Sequence, residues 1–254
     1  MKVSLLQTDI RWKDPQANRQ RAQTLIDTLP SVDLIVLPEM FTTGFCTDPV
    51  GVAEPADSDT LKWMLQVASS RQAAVAGSVA TQAGDCYYNR FYFVKPDGSY
   101  ACYDKRHLFS FAGEHDRYTP GKQRVVVEYN GWRILLQVCY DLRFPVFSRN
   151  RGDYDLILYV ANWPTVRISA WNTLLQARAI ENQCYVVGVN RTGNDPALSY
   201  NGSSALIDYL GHPLTTESSS EEILYGELDR SALEAFRTKF PAWRDADSFT
   251  LTDL

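Results

Sequence analysis

Short apolar runs, each closed by a polar turn and followed by a helix-like segment, set the strongest limit on how this chain can fold. Val3 to Gln7 reads as a buried strand, Pro15 to Leu29 as a helix with proline in its first turn, and Asp33 to Leu37 as an apolar strand. A second helix is predicted from about Asp59 to Arg71, and a further strand over Ala74 to Ala80. This is β-α-β order, so helices must cover the sheet on at least one face.

The middle of the chain changes character. Tyr87 to Val94 is aromatic and β-branched, and Lys95-Pro96-Asp97-Gly98 turns it into Tyr100 to Tyr103, which predicts a hairpin. Arg124 to Tyr129 and Trp132 to Gln137 flank Asn130-Gly131, a dipeptide suited to a type I′ turn, so a second hairpin is expected there. Between the hairpins, His107 to Gln123 is polar and aromatic with little periodicity, and such a stretch within a compact domain is often functional.

Past Cys139 the alternation resumes. A short helix is predicted near Phe144 to Asn150, a strand over Leu156 to Val160, a longer helix over Ile168 to Gln183 and a strand over Tyr185 to Val189. Ser204 to Tyr209 and Ile223 to Leu228 read as closing antiparallel strands before a last helix near Ser231 to Thr238. These elements add up to a mixed pair of sheets with helices outside. No linker divides the 254 residues, which reads as one domain with a C-terminal tail from about residue 240.

Composition narrows the partners. A net charge of -5 lacks the basic excess that accompanies phosphate-backbone binding, so nucleic acid is not an expected partner. The first residues lack the long apolar region of a signal peptide, and no later stretch is long and apolar enough for a membrane span, so the expectation is a cytoplasmic protein. The 5 cysteines are scattered and never form a C-x-x-C pair, which argues against a disulfide framework or zinc ribbon. The 3 histidines show no H-x-x-x-H spacing, so a metal site has no sequence support, and no cofactor is expected.

Three residues of complementary chemistry each end a predicted strand. Cys139 follows Ile134 to Val138 and precedes a helix signal, which would hold its sulfur at a sheet edge with the next amide N–H, that of Tyr140, facing an oxyanion. Glu39 follows Leu37-Pro38 at another strand end, a setting suited to general acid and base work. Lys105 follows Tyr100 to Asp104. Each has a plainer reading: a buried cysteine, a strand-end cap and a solvated loop cation. Their common position favours the sharper one, since strands whose ends lie on one side would bring the three groups into a single crevice.

These segments resemble the motifs of the nitrilase superfamily of carbon-nitrogen hydrolases. Leu37-Pro38-Glu39, Lys105 with His107-Leu108-Phe109, and Cys139-Tyr140-Asp141-Leu142-Arg143-Phe144-Pro145 match in order, and Ala161-Asn162-Trp163-Pro164 and Arg178-Ala179-Ile180-Glu181-Asn182 resemble later landmarks. The resemblance implies an α/β fold, the four-layer αββα sandwich, with a Glu39-Lys105-Cys139 triad and a second glutamate at Glu114. It implies a homodimer or larger homo-oligomer. Within the family the chain looks most like the bacterial ω-amidases, which hydrolyse the distal amide of short 2-oxo dicarboxylic acid monoamides such as 2-oxoglutaramate and 2-oxosuccinamate. A hydrolase of nitriles, carbamoyl compounds or other amides, and a non-catalytic binding protein of the same fold, are the competing readings.

Chemistry tests whether that set makes sense. A free thiol with a pKa near 8.5 is about 3% thiolate at pH 7, so full activation is worth only about 2 kcal/mol. A standing thiolate would add a third anion to Glu39 and Glu114 against one Lys105, so the expected route has Glu39 take the thiol proton as Cys139 attacks. Lys105 and the Tyr140 N–H would stabilise the oxyanion. Arg143 is expected to read the far carboxylate through its fork, a structural ion pair being its alternative. Thr165 is a candidate hydroxyl donor, and Trp163 and Phe41 are candidate pocket walls. Arg178 and Glu181, three apart on a helix, should form a structural pair.

Overall fold

The computed structural model describes residues 1–252. In chain order the strands are β1 (Lys2–Gln7), β2 (Leu34–Val36), the two-residue β3 (Glu54–Pro55), β4 (Ala74–Ala83), β5 (Cys86–Val94), β6 (Tyr100–Asp104), β7 (Val126–Tyr129), β8 (Trp132–Val138), β9 (Leu156–Ala161), β10 (Tyr185–Asn190), β11 (Thr192–Asn194), β12 (Ser199–Asn201), β13 (Ala205–Ile207) and β14 (Glu222–Glu227). The α-helices are α1 (Pro15–Asp27), α2 (Asp59–Arg71), α3 (Pro145–Ser148), α4 (Ile168–Asn182) and α5 (Arg230–Lys239). One sheet runs in the order β14-β1-β2-β4-β5-β6, with β3 beside β4, and a second runs β13-β10-β9-β8-β7.

Three apolar clusters define four layers. Val3, Leu5, Val36, Ala76 and Phe93 of the first sheet pack against Ile134, Leu136, Leu158 and Val187 of the second. On the outer face of the first sheet, Leu6, Ile35 and Val75 meet Ile26, Met64 and Val67 of α1 and α2. On the outer face of the second, Leu135, Ile157 and Val186 meet Trp171, Leu175 and Ala179 of α4. Successive strand residues face opposite ways, so central strands buried on both faces must be apolar at every position. The expected αββα sandwich is the observed architecture.

Local signals account for most boundaries. Asp14 caps α1 by accepting from the Ala17 N–H at 3.0 Å, and Ser58 caps α2 by accepting from the Leu61 N–H at 3.1 Å. Asn130 and Gly131 take φ of 46° and 78°, as a type I′ hairpin turn requires. The two closing strands each pair antiparallel but complete different sheets, β13 beside β10 and β14 beside β1. The helix after Cys139 is shorter than expected, and the polar stretch after Asn190 conceals the ribbon β11–β12. Phe240 and Trp243 of the tail remain 60% and 43% exposed. No helix among the described residues is long and apolar enough to cross a membrane.

Candidate active site

Topology brings the expected groups to one edge. Strand β6 is antiparallel to β5, which is antiparallel to β4, which is parallel to β2, so β2 and β6 end on the same side of the first sheet. Glu39 and Lys105 follow those two ends. Two strands separate them, and the gap is closed by continuing the chain past Val36 along β4: the Leu37 N–H donates to the Ala76 carbonyl at 2.8 Å and the Met40 N–H to Ser78 Oγ at 2.9 Å. Cys139 comes from the second sheet, at the end of β8.

Lys105 stands between two carboxylates. Its Nζ donates to Glu39 Oε1 at 2.9 Å and to Glu114 Oε1 and Oε2 at 3.2 and 3.0 Å. Lys105 is 1% exposed and both glutamates 0%, so the three form a buried ion cluster rather than a solvated loop. Burial by itself would release the lysine proton, but Glu114, Glu39 and Cys139 outweigh it and hold the ammonium above the ordinary lysine range. Burial pushes Glu114 up from the usual carboxylate range, opposed by Lys105 and assisted by Glu39.

Two asparagines complete the cluster. Asn89 of β5 lies between the carboxylates and donates Nδ2 to Glu39 Oε1 at 2.7 Å and to Glu114 Oε1 at 3.2 Å. Asn162, just past β9, gives its backbone N–H to Glu39 Oε2 at 2.8 Å and its Nδ2 to the Glu39 carbonyl at 2.6 Å. The Phe109 N–H donates to Glu114 Oε2 at 2.6 Å, so the irregular stretch between the hairpins contributes both Glu114 and its anchor. Asn89 escaped the sequence reading, although a polar amide inside Tyr87 to Val94 was itself a signal: a buried amide needs partners.

Cys139 takes a φ of 44°, in the left-handed region that a side chain enters at a cost, and it opens a 3-10 turn through Arg143. Asp141 holds that turn. Its Oδ2 accepts from Tyr103 Oη at 2.8 Å and the Val138 N–H at 2.9 Å, while Oδ1 accepts from the His107 N–H at 3.0 Å and lies 2.7 Å from His107 Nδ1. Arg178 pairs with Glu181 at 2.7 Å, as expected, and its second arm donates to the Leu142 carbonyl at 2.7 Å, bracing the same turn from α4. Being second in the 3-10 turn, the Tyr140 N–H has no acceptor within it. Burial raises the Cys139 thiol well above its ordinary value; the Glu39 carboxylate adds to this and Lys105 only partly offsets it. Each of these contributions except that of Lys105 favours the thiol over the thiolate.

A cavity of about 240 Å³ opens onto these groups, lined by Lys105, Cys139, Tyr140, Arg143, Asn162 and Trp163 among others. Arg143 stacks over Trp163 with its guanidinium carbon 4.9 Å from the ring centroid and makes no ion pair among the described residues, which removes the structural-pair alternative. Two expected residues do not line the cavity. Phe41 lies under the outer helices, its ring 5.9 Å from that of Trp63, because the chain turns inward after Glu39. Thr165 is exposed at the start of a 3-10 turn, and Pro164 and Arg167 on either side of it face the cavity instead.

The sequence also hid the opposite wall. Trp12 and the turn of the ribbon, Asp195 to Leu198, close the cavity on that side, and both are tied down by the buried Arg191. Its Nη2 donates to Asp9 Oδ1, the Ile10 carbonyl and the Asn194 carbonyl at 3.0, 3.0 and 3.1 Å. Among the described residues, no group of three or more His, Cys, Asp or Glu is placed to hold a metal ion.

Known proteins resemble this chain over nearly its whole length. The carbon-nitrogen hydrolase family model matches residues 2–238. Omega-amidase YafV of Yersinia enterocolitica is 49% identical, covering 99% of this chain and 98% of its own. The 2-oxoglutaramate amidase of Bacillus subtilis is 34% identical over 96% of each chain. A solved CN-hydrolase superfamily protein of Xanthomonas campestris, with an arsenic adduct in its active site, is 46% identical with a TM-score of 0.97, covering 99% of both chains.

Proposed function

The chain belongs to the carbon-nitrogen hydrolase family, and from that premise we propose that it is an ω-amidase hydrolysing the distal amide of a short 2-oxo dicarboxylic acid monoamide to the 2-oxo acid and ammonia. The observation that carries this reading is one cavity holding a thiol, a buried ammonium between two carboxylates, and a guanidinium with no carboxylate partner. The thiol and the ammonium with its carboxylates suit amide cleavage. The guanidinium suits a substrate with an anionic far end.

In this reading the Cys139 sulfur attacks the amide carbon as its proton passes to Glu39. A third anion beside Glu39 and Glu114 is disfavoured in a dry site, and the raised thiol supports transfer during attack rather than before it. The oxyanion meets the Tyr140 N–H and the Lys105 ammonium, which still has an N–H to give if Glu114 shares one between its two oxygens. Glu39 returns the proton to the departing nitrogen, and ammonia leaves a thioester on Cys139. A water then loses a proton to Glu39 and attacks the thioester carbon, the carbon-sulfur bond breaks, and the Glu39 proton restores the thiol. Glu114 and Asn89 are positioning residues that hold Lys105 and Glu39.

Two measurements test this. Ammonia release should be fastest on 2-oxoglutaramate or 2-oxosuccinamate within a panel of amides and nitriles. Arg143→Lys should reduce kcat/KM on 2-oxoglutaramate by about 10- to 100-fold, with a smaller loss on a neutral amide, because a single ammonium cannot reproduce a bidentate fork. Equal losses on both would remove the carboxylate-reading role. The resting thiol is tested separately: the ultraviolet difference between the native enzyme and Cys139→Ala should contain no thiolate band near neutral pH, and such a band would overturn proton transfer during attack.

A further inference from the structure

Arg143 is not the cavity's only free cation. Arg167 also lines it, with its guanidinium carbon 5.3 Å from the Phe109 ring centroid and no ion pair among the described residues. One residue fixes both: the Trp163 ring lies against Arg143, while Trp163 Nε1 donates to the Arg167 carbonyl at 2.8 Å. Asp195, the acidic residue on the far wall, is already occupied. Its Oδ1 accepts from the Ala197 and Leu198 N–H groups, both at 2.7 Å, and its Oδ2 from Tyr200 Oη at 2.5 Å. Two guanidiniums with no salt-bridge partner among the described residues, lining one largely apolar cavity, favour an anionic ligand there.

We infer that Arg167 is a second specificity-determining residue, which with Arg143 grips the 2-oxo carboxylate end of the substrate and excludes the 2-amino analogue. The inference rests on the ω-amidase reading. A carboxylate and an adjacent ketone together present three acceptor oxygens, which suit two donor forks. A 2-amino acid amide such as glutamine has the same length and the same carboxylate, but it carries an ammonium where the ketone stood. Between two guanidiniums that charge is repelled, so selection against it needs no steric clash. Phe109, beneath Arg167, belongs to the irregular stretch that also supplies Glu114, which ties substrate reading to the ion cluster.

The test compares kcat/KM of the native enzyme and Arg167→Met on 2-oxoglutaramate, glutaramate, glutamine and butyramide. On 2-oxoglutaramate the variant should lose about 100-fold, mostly in KM, the scale expected on removing one fork of a charge-assisted, bidentate contact. The loss on butyramide should be at least about tenfold smaller, and the preference for 2-oxoglutaramate over glutamine should shrink by about tenfold or more. Equal losses on butyramide and 2-oxoglutaramate, or an undiminished preference over glutamine, overturn the inference. If circular dichroism shows the Met variant misfolded, Arg167→Gln carries the same comparison. A native enzyme that does not prefer 2-oxoglutaramate to butyramide refutes the ω-amidase reading itself; a native preference that survives loss of Arg167 refutes only the role given to Arg167.

Discussion

Cys139→Ala is expected to abolish amide hydrolysis, with turnover falling by about 10⁵-fold or more while the protein stays folded, the scale seen when a covalent nucleophile is removed. The substitution deletes one atom from the cavity wall and leaves the turn intact. That turn is held by contacts outside the cysteine side chain, namely Asp141 to Tyr103, His107 and the Val138 N–H, and Arg178 to the Leu142 carbonyl. Alanine must also accept the φ of 44°, so it neither relieves nor adds backbone strain. The melting temperature should therefore move by only a few degrees. Ammonia release at high enzyme concentration measures the first effect, and mass spectrometry of the quenched reaction should find a substrate-derived adduct on the native chain only. Residual turnover within tenfold of native would end the covalent mechanism.

Lys105→Met has two expected effects, one on rate and one on stability. Losing an oxyanion donor costs about 10²- to 10³-fold in kcat, and the loss of charge balance at Glu39 adds to that. As a solvated loop cation, the plainer reading of a lysine beside Arg106, it could be replaced with little effect on folding. Burial reverses that expectation. Methionine leaves Glu39 and Glu114 facing each other without a cation, and breaking such a buried cluster costs about 3 to 5 kcal/mol.

The pH dependence carries a sign that can be checked. Glu114 is already raised in the native protein, and Lys105 is what opposes the rise. Removing Lys105 raises it further, and a carboxyl raised on folding contributes stability that is complete below its unfolded pKa and lost as pH climbs through its folded one. The stability gap between Lys105→Met and native protein should thus be wide at neutral pH and narrow toward pH 5. Adding Glu114→Gln should recover part of the melting temperature and none of the turnover. A Lys105→Met protein with native kcat would refute the assignment, and one with native stability at every pH would refute the account of the cluster.

These results divide what was legible in the sequence from what was not. Glu39, Lys105 and Cys139 could be picked out because each ends a predicted strand, and strand ends are visible in a linear pattern. Glu114 was reached only through resemblance to a family, since nothing periodic marks the segment around it. Asn89 was hidden for a different reason: its partners, Glu39 and Glu114, are 50 and 25 residues away. Phe41 and Thr165 were misjudged because distance along the chain was read as distance in space. Phe41 lies two residues from Glu39, yet it faces the helices. Arg167 lies 28 residues from Cys139 and shares its cavity.

By itself the sequence determined a mixed pair of sheets with helices outside, because apolar strands in β-α-β order need helical cover, and that requirement follows from local composition; the four-layer order came with the family resemblance. It also determined which three side chains stand at sheet edges. The tertiary structure decided which edge they share, which charges balance them, and which arginines face the cavity unpaired. Those outcomes depend on through-space contacts between segments of two sheets, and Coulomb and hydrogen-bond terms act over a few ångströms of space regardless of how much chain lies between.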